Sequence, residues 1–404
     1  MAHSHTHDLD EHVAVVDPRT KRLLHGAVAA CALVAVVGLV VLWPRGDAAT
    51  NEEFGIFSEQ VDATVVDLET GPCSFNPDDR CEQVTYEVTS GPTAGDTPTI
   101  ERPIFDAAIS LHRGDDVVLN FVPDATVEEA RYQFADFQRR TPMLLLALLF
   151  GAAVVALGRW RGLLALVGLV VSMVVVLAFI LPALLEGRSP VPVALVGATV
   201  IALASLYLAH GLHERTSVAF LATFASLLVT FVLAQLFSGA AHITGLANEE
   251  AGTLLAFAPE LDFRGLVLAA IIIGTLGVLD DVTVTQVSAV WELHLANSRM
   301  GPARLYAAAI RIGRDHIAST VNTLVLAYTA AALPLLLLYT QGGLQWGRVA
   351  TSETVAVEII QTLVGSIGLV ASVPIATALA VVVVTREPAW RARPAGVAAS
   401  TTPG

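Results

Sequence analysis

Charged residues are scarce in this sequence. Asp, Glu, Lys and Arg together make up 15% of the 404 residues, whereas a soluble protein carries about 25%. Hydrophobic residues make up 54%, and several apolar runs reach the roughly 20 residues that cross a bilayer as a helix. This combination excludes an ordinary soluble protein. It predicts an α-helical polytopic membrane protein whose main partner is the lipid bilayer.

Cysteine is also scarce, with three copies in the chain, too few for a disulfide scaffold. Cys31 lies within an apolar run, which predicts a core residue. Cys73 and Cys81 flank a turn-rich loop that contains Pro77. Because we expect this loop to lie outside the cytosol, we predict a disulfide between Cys73 and Cys81.

Familiar enzyme motifs are absent: the sequence has no P-loop, no G-x-S-x-G and no H-E-x-x-H. His210, His213 and Glu214 are the one group that resembles zinc chemistry, because the i, i+3 spacing places both imidazoles together. An interfacial anchor explains this group more simply. We therefore expect no enzymatic activity and no cofactor, and the sequence identifies no metal. A membrane-embedded hydrolase is the weakest alternative.

Negative charge is concentrated in one part of the chain. The formal net charge is -14, and residues 44–141 contain 20 Asp and Glu against seven Arg, a balance of -13. Such an acidic segment argues against a nucleic-acid partner. The acidic charge is more consistent with a partner protein of the cell envelope that binds residues 44–141.

The same segment has the pattern of a β-rich domain. Short runs at 61–66, 83–89 and 116–122 are rich in β-branched residues, and Gly-Pro pairs occur at 71–72 and 91–92. This pattern predicts a small barrel or sandwich of OB or SH3 type.

Basic residues occur at alternate ends of the apolar runs, which favours a cytoplasmic location for both termini. The predicted organisation is a cytoplasmic His-rich tail at 1–22, a first span at 23–43, the extracytoplasmic domain at 44–141, a helical membrane domain at 142–385 and a disordered cytoplasmic tail at 386–404. The first span is expected to be an anchor and not a cleaved signal peptide. The whole chain has about eight spans by length and hydropathy.

The tail at 1–22 contains four histidines among acidic residues. They are His3, His5, His7 and His12. Such tracts bind metal in some proteins, but a disordered tail without a ligand is the simpler interpretation.

Residues 299–316 have an amphipathic pattern. One helical face carries Arg304, Arg311, Arg314 and Asp315, and the opposite face carries Leu305, Ala309 and Ile312. We favour an amphipathic helix on the inner membrane surface. The alternative is a helix that packs on other cytoplasmic loops.

Two adjacent carboxylates, Asp280 and Asp281, follow a long apolar run. One Asp at mid-bilayer costs about 2.5–3.5 kcal/mol on insertion scales, and two neighbours also repel. We therefore expect the pair to hold H⁺ or Na⁺, for which oxygen ligands are suited. The further oxygen-bearing candidates are Thr283, Thr285, Gln286 and Asn322. The alternative is a hydrogen-bond network that only fastens the helices together.

Small residues on two of the predicted spans favour close helix packing. They are Gly274, Gly277, Gly365, Gly368 and Ser372. A helix over 265–293 is about 43 Å long at 1.5 Å per residue, longer than the bilayer core. We expect it to break near Gly274 and Gly277.

Three stretches resemble the YibE/F-like family of bacterial membrane proteins: 277–286 (GVLDDVTVTQ), 313–328 (GRDHIASTVNTLVLAY) and 365–374 (GSIGLVASVP). The likeness covers roughly residues 140–385. It implies a multi-pass plasma-membrane protein, often of Gram-positive bacteria, and brings no established activity.

Two functions fit these observations. The first is a proton- or sodium-coupled transporter or permease, supported by the carboxylate pair and the polar stripes on neighbouring spans. The second is a non-transporting envelope scaffold that acts through its extracytoplasmic domain, supported by the size of that domain.

The topology can be tested with reporter fusions at residue 90 and at the C-terminus. Positive-inside charge placement predicts an extracytoplasmic signal at residue 90 and a cytoplasmic signal at the C-terminus. A cytoplasmic signal at residue 90 would overturn the topology together with the argument for the disulfide.

Overall fold

The structure is a computed structural model that describes residues 16–46, 59–74, 76–103, 109–123, 125, 131–343 and 345–386. The four histidines of the N-terminal tail and nearly all of the C-terminal tail lie outside these residues. The chain divides into two compact units. One is Asp47–Leu157, and the other combines Met1–Gly46 with Gly158–Gly404.

The Asp47–Leu157 unit contains an antiparallel sheet with the strand order β3-β2-β1-β4-β5. Its strands are β1 (Glu59–Pro72), β2 (Arg80–Val88), β3 (Thr99–Pro103), β4 (Asp116–Phe121) and β5 (Tyr132–Phe137). Within the described strands, β3 and β5 are not paired with each other, so the sheet is a half-barrel. The β-rich character is confirmed, and closure into an OB- or SH3-type barrel stays a prediction.

One face of the sheet carries the core of this unit. In β1, Val61, Ala63 and Val65 are buried in alternation with partly exposed residues, as expected for a strand with one covered face. Cys73 and Cys81 are bonded to each other and both are buried. The bond joins the ends of β1 and β2 across their connecting loop.

Tyr86 at the centre of β2 is completely buried, and its hydroxyl has no hydrogen-bond partner in the described structure. Burial raises the pKa of Tyr86 to about 12. Tyr132 in β5 is buried as well, but its hydroxyl donates a hydrogen bond to Asp96 Oδ2 at 2.8 Å. The two tyrosines thus have comparable burial and opposite hydrogen-bonding states.

The long helices of the chain are α1 (Pro18–Leu42), α2 (Arg140–Val175), α4 (Pro190–His210), α5 (Glu214–Ala240), α7 (Phe263–Ala296), α8 (Pro302–Ala331) and α11 (Glu353–Thr385). The shorter ones are α3 (Leu181–Leu185), α6 (Glu249–Phe257), α9 (Leu333–Gln341) and α10 (Trp346–Ala350), and a π-helical turn at Val176–Ile180 joins α2 to α3. In the described residues, six helices are long and apolar enough to cross a membrane, or seven if α8 and α9, bent by 57°, count as one span. A mostly helical chain with several apolar spans is therefore confirmed.

The difference from eight spans arises in α2 to α3. We predicted two spans there, and the 46-residue stretch Arg140–Leu185 consists of two helical segments that meet at a kink, although it counts as one span by length and hydropathy. Arg159 alone within α2 has non-helical backbone angles, φ 51° and ψ -129°. The number of spans in the membrane stays a prediction.

The segment at 299–316 is not a separate helix. It forms the start of α8, which continues without interruption from Pro302 to Ala331. Leu305 and Ala309 are fully buried in a cluster with residues of α7 and α11, including Trp291 and Ala376. Two of the three apolar residues that we expected on the membrane surface are thus covered by protein, whereas Ile312 is 47% exposed.

Helices α5, α7 and α11 pack closely against one another, and glycines of α11 allow the approach. A Cβ atom at Gly368 would overlap the Oγ1 of Thr230 on α5, and one at Gly365 would lie 3.3 Å from Thr275 Oγ1 on α7. Around Gly277 there is nothing within 4 Å of such an atom. The predicted packing residues therefore occupy different environments.

Gly368→Ala should destabilise the protein by about 1–3 kcal/mol, because the added methyl must displace Thr230. Gly277→Ala has open space around it and should stabilise by up to about 1 kcal/mol through helix propensity. Thermal unfolding of both variants in one detergent tests the pair. Equal effects would contradict this account of the packing.

Tyr86→Phe removes a buried hydroxyl that has no partner, so it should leave stability unchanged or raise it. Because the pKa of Tyr86 is higher in the folded state than the value of about 10 in the unfolded state, its contribution is fully present below pH 10. That contribution is lost as the pH rises towards 12. The variant should therefore lose less stability than wild type between pH 10 and 12.

Scanning calorimetry of the full chain can follow this effect. The relevant unfolding transition is the one that shifts when the Cys73–Cys81 disulfide is reduced. Tyr132→Phe is the matched control, since it removes a satisfied hydrogen bond and should cost about 1 kcal/mol. Equal destabilisation by the two variants would show that the hydroxyl of Tyr86 has a partner.

Candidate functional site

Helix α7 carries the predicted carboxylates. It begins after Asp262, whose side chain accepts a hydrogen bond from the Gly265 N–H at 2.9 Å, a normal N-terminal cap. The helix then runs for 34 residues without a break at Gly274 or Gly277. The expected break is therefore absent, and α7 reaches about 51 Å at 1.5 Å per residue. No proline interrupts it, so nothing in the sequence forces a break.

Asp280 lies where α7 meets α4 and α5. Its Oδ2 accepts a hydrogen bond from Ser205 Oγ at 2.8 Å. Thr223 is adjacent to the carboxylate, and its hydroxyl is bonded to that of Thr283 at 2.6 Å. Thr283 also donates to the backbone oxygen of Asp280 at 3.2 Å. We call Ser205, Thr223, Asp280 and Thr283 the Asp280 cluster.

One oxygen of this cluster lacks a partner. Asp280 Oδ1 is buried and accepts no hydrogen bond from the residues that the structure describes. A carboxylate can accept about four hydrogen bonds when ionised, and leaving a buried charge incompletely paired is costly. A proton on Oδ1, or a cation held between Oδ1 and the neighbouring hydroxyls, removes that cost. The cluster is thus suited to binding H⁺ or a hard cation such as Na⁺.

The other predicted oxygen donors are not part of the cluster. Asp281 and Thr285 are exposed, and the Thr285 hydroxyl donates to the backbone oxygen of Asp281 at 2.8 Å. Asn322 is exposed on α8. Adjacent residues on a helix point about 100° apart, so the helix that buries Asp280 turns Asp281 away from it.

Gln286 is buried in a separate contact. Its Nε2 donates to the backbone oxygen of Ala309 on α8 at 3.0 Å and to Thr377 Oγ1 on α11 at 2.7 Å. These bonds connect three helices. Ser372 is also buried, and its hydroxyl bonds to Leu369 O within α11. Both side chains therefore belong to the helix interfaces.

Two members of the Asp280 cluster were missed by the sequence reasoning. Ser205 is a single hydroxyl in an apolar stretch and carries no distinctive signal. Thr223 does have one, because Thr216, Thr223 and Thr230 recur every seven residues on α5. All three are buried, and such a polar stripe on an apolar helix marks an internal face.

A pocket of about 300 Å³ lies beside the cluster. We call it the polar pocket, and its lining residues are Arg161, Ala209, His210, His213, Glu214, Arg215, Thr216, Ala219, Val284, Val287 and Ser288. Ala209 follows Ser205 by four residues and Val284 follows Asp280 by four, while Ala219 precedes Thr223 by four. Residues four apart share one face of a helix. The pocket therefore lies about one turn beyond the Asp280 cluster along α4, α5 and α7.

The turn between α4 and α5 shapes this pocket. Gly211 has a φ of 79°, which a residue with a side chain rarely adopts, and it ends α4 directly after His210. His213 Nδ1 is 3.1 Å from His210 O, and Glu214 forms an ion pair with Lys21 at 2.6 Å. In the described residues, His210, His213 and Glu214 do not form a metal-binding group.

Close contacts among potential metal ligands occur once in the described part of the chain, at Cys73, Cys81 and Glu101. The two sulfurs of that group are bonded to each other, so they are not free to bind an ion.

The apolar helices of the described residues, six of which are long enough to cross a bilayer, together with the Asp280 cluster indicate a membrane protein. A protein-family model described as "YibE/F-like protein" matches residues 146–386, more than half of the 404-residue chain. The chain therefore belongs to the YibE/F-like family, and the resemblance in the sequence is confirmed. No curated protein and no solved structure matches the chain.

Proposed function

We propose that this protein is a proton- or sodium-coupled transporter or permease of the bacterial plasma membrane, with Asp280 as the coupling site. The observation that carries the proposal is the state of the Asp280 carboxylate. One oxygen accepts a hydrogen bond from Ser205, and the other is buried and has no hydrogen-bond partner among the described residues. An intramembrane ionisable residue of this kind marks an ion pathway more often than a structural bond.

The position of the polar pocket supports the same function. It brings a cavity to within about one helical turn of Asp280 along the same three helices. An ion or substrate in that cavity is close enough to affect the carboxylate. Coupling requires that binding at one site shifts a conformational equilibrium that the other site also senses.

The proposed topology places both termini in the cytoplasm and the Asp47–Leu157 unit outside. We further propose that the acidic half-barrel sheet contacts an envelope protein. Contact with an envelope protein is also the basis of the competing function, a scaffold without transport. The compact sheet unit, with its own core and disulfide, favours that scaffold function. In this chain neither function requires catalysis.

Thermal unfolding of the purified full chain across pH and Na⁺ concentration tests the coupling site. A ligand that binds the folded state stabilises it by about 2.7 kcal/mol at 100 times its Kd. We expect wild type to be stabilised by Na⁺ or by protons. Asp280→Asn should lose that dependence, since it removes the charge that the ion balances.

Asp281→Asn is the matched control, because it makes the same chemical change at the adjacent, exposed carboxylate. It should retain the wild-type response, and Ser205→Ala should weaken it. If wild type is indifferent to both ions, or if Asp280→Asn responds as wild type does, the transporter proposal fails and the scaffold function is favoured.

A further inference from the structure

The polar pocket contains two arginine side chains that the ion-binding role of Asp280 does not use. Arg161, from the second half of α2, and Arg215, at the start of α5, both line it, together with His210 and His213. Its volume of about 300 Å³ is at the lower end of the range for small-molecule sites. The pocket is therefore large enough for a small metabolite and not only for an ion.

The positive charge of the pocket is not neutralised by its own walls. Glu214 is the one acidic lining residue, and Lys21 pairs with it at 2.6 Å. Arg215 pairs at 3.1 Å with Glu292, a side chain that is 67% exposed and does not line the pocket. Arg161 has no ion-pair partner in the part of the chain that the structure describes. Asp281, the further carboxylate near His210, is not a lining residue.

The backbone adds donors to these side chains. Helix α5 begins at Glu214, and the side chain of its N-cap residue, His213, makes no capping hydrogen bond. The first N–H groups of a helix lack partners within it, and Arg215 and Thr216 in that first turn line the pocket. Their N–H groups reinforce a preference for negative charge that the two arginines already establish.

We propose that the polar pocket binds a phosphate group through Arg161 and Arg215. A guanidinium matches the oxygens of phosphate with two parallel hydrogen bonds, and a helix N-terminus favours the same anion. A cation would be repelled by these walls. A soluble organic phosphate and the headgroup of an anionic phospholipid present the same chemistry. The inference that phosphate binds in the pocket depends on the pocket alone. The inference that a phosphate compound is the transported substrate rests on the proposed function.

The test measures binding without transport. The full chain is purified in a non-ionic detergent, and its thermal unfolding is followed with glycerol 3-phosphate or inorganic phosphate at constant pH, Na⁺ and ionic strength. A second arm adds phosphatidylglycerol to the micelles. We expect phosphate to raise the Tm of wild type. Arg161→Gln and Arg215→Gln should each weaken binding about tenfold or more, because each removes a charge-assisted pair of hydrogen bonds.

Arg311→Gln is the matched control, since Arg311 is an exposed arginine of α8 that does not line the pocket. It should bind phosphate as wild type does. Arg161→Lys keeps the charge and removes the planar fork, so it should bind with intermediate affinity. Arg161 is exposed, which leaves the core of both Arg161 variants intact.

Stabilisation by soluble phosphates that Arg161→Gln abolishes supports the inference with a soluble ligand. Stabilisation by phosphatidylglycerol alone, again abolished in Arg161→Gln, supports the phosphate site and identifies a lipid headgroup. No stabilisation in either arm, or the same stabilisation in Arg161→Gln as in wild type, overturns it. Because Asp280→Asn should still bind phosphate, loss of the ion response and loss of phosphate binding are separate results.

Discussion

The close packing of α5, α7 and α11 is the constraint on which the helical unit depends. Between helices in lipid there is little hydrophobic driving force, so association relies on close contact and on hydrogen bonds between helices. Gly365 and Gly368 supply that contact, because each faces a threonine of a neighbouring helix where a larger side chain would collide. The hydroxyls at the same contacts bond to the preceding turn of their own helix, which satisfies them without separating the helices.

This packing gives two polar side chains of α7, the buried Gln286 and the partly buried Asp280, different roles. Gln286 donates both of its amide bonds to neighbouring helices and so fastens α7 to α8 and α11. Asp280 has one bonded oxygen and one without a partner in the described structure. A residue that only fastened the bundle would be favoured with all its groups paired. These contacts favour a fastening role for Gln286 and leave Asp280 as the residue to which we assign the proposed ion site.

The sequence predicts the helices and strands of the fold better than it predicts which side of each one is buried. Alternation in β1 and the apolar runs specify strands and helices locally, and Cys73 and Cys81 are close along the chain. Which of Asp280 and Asp281 is buried depends on the rotation of α7 against α4 and α5, and only the packing of those helices sets it. Leu305 and Ala309 show the same limit, since an amphipathic face can be covered by lipid or by protein. The threonines repeated along α5 are the signal from which the buried face of that helix could have been inferred.

The charges of the site and of the polar pocket complement each other. In the proposed transporter, a cation taken up at Asp280 would neutralise a carboxylate about one helical turn from a pocket with two arginines. Removing the negative charge weakens its attraction for those arginines and leaves them freer to bind an anion. A bound anion, in turn, raises the affinity of the nearby carboxylate for a cation. Such effects must be reciprocal, because each ligand changes the affinity of the other by the same factor. A coupled transporter needs this dependence between ion and substrate, and the arrangement of Asp280, Arg161 and Arg215 provides a physical basis for it.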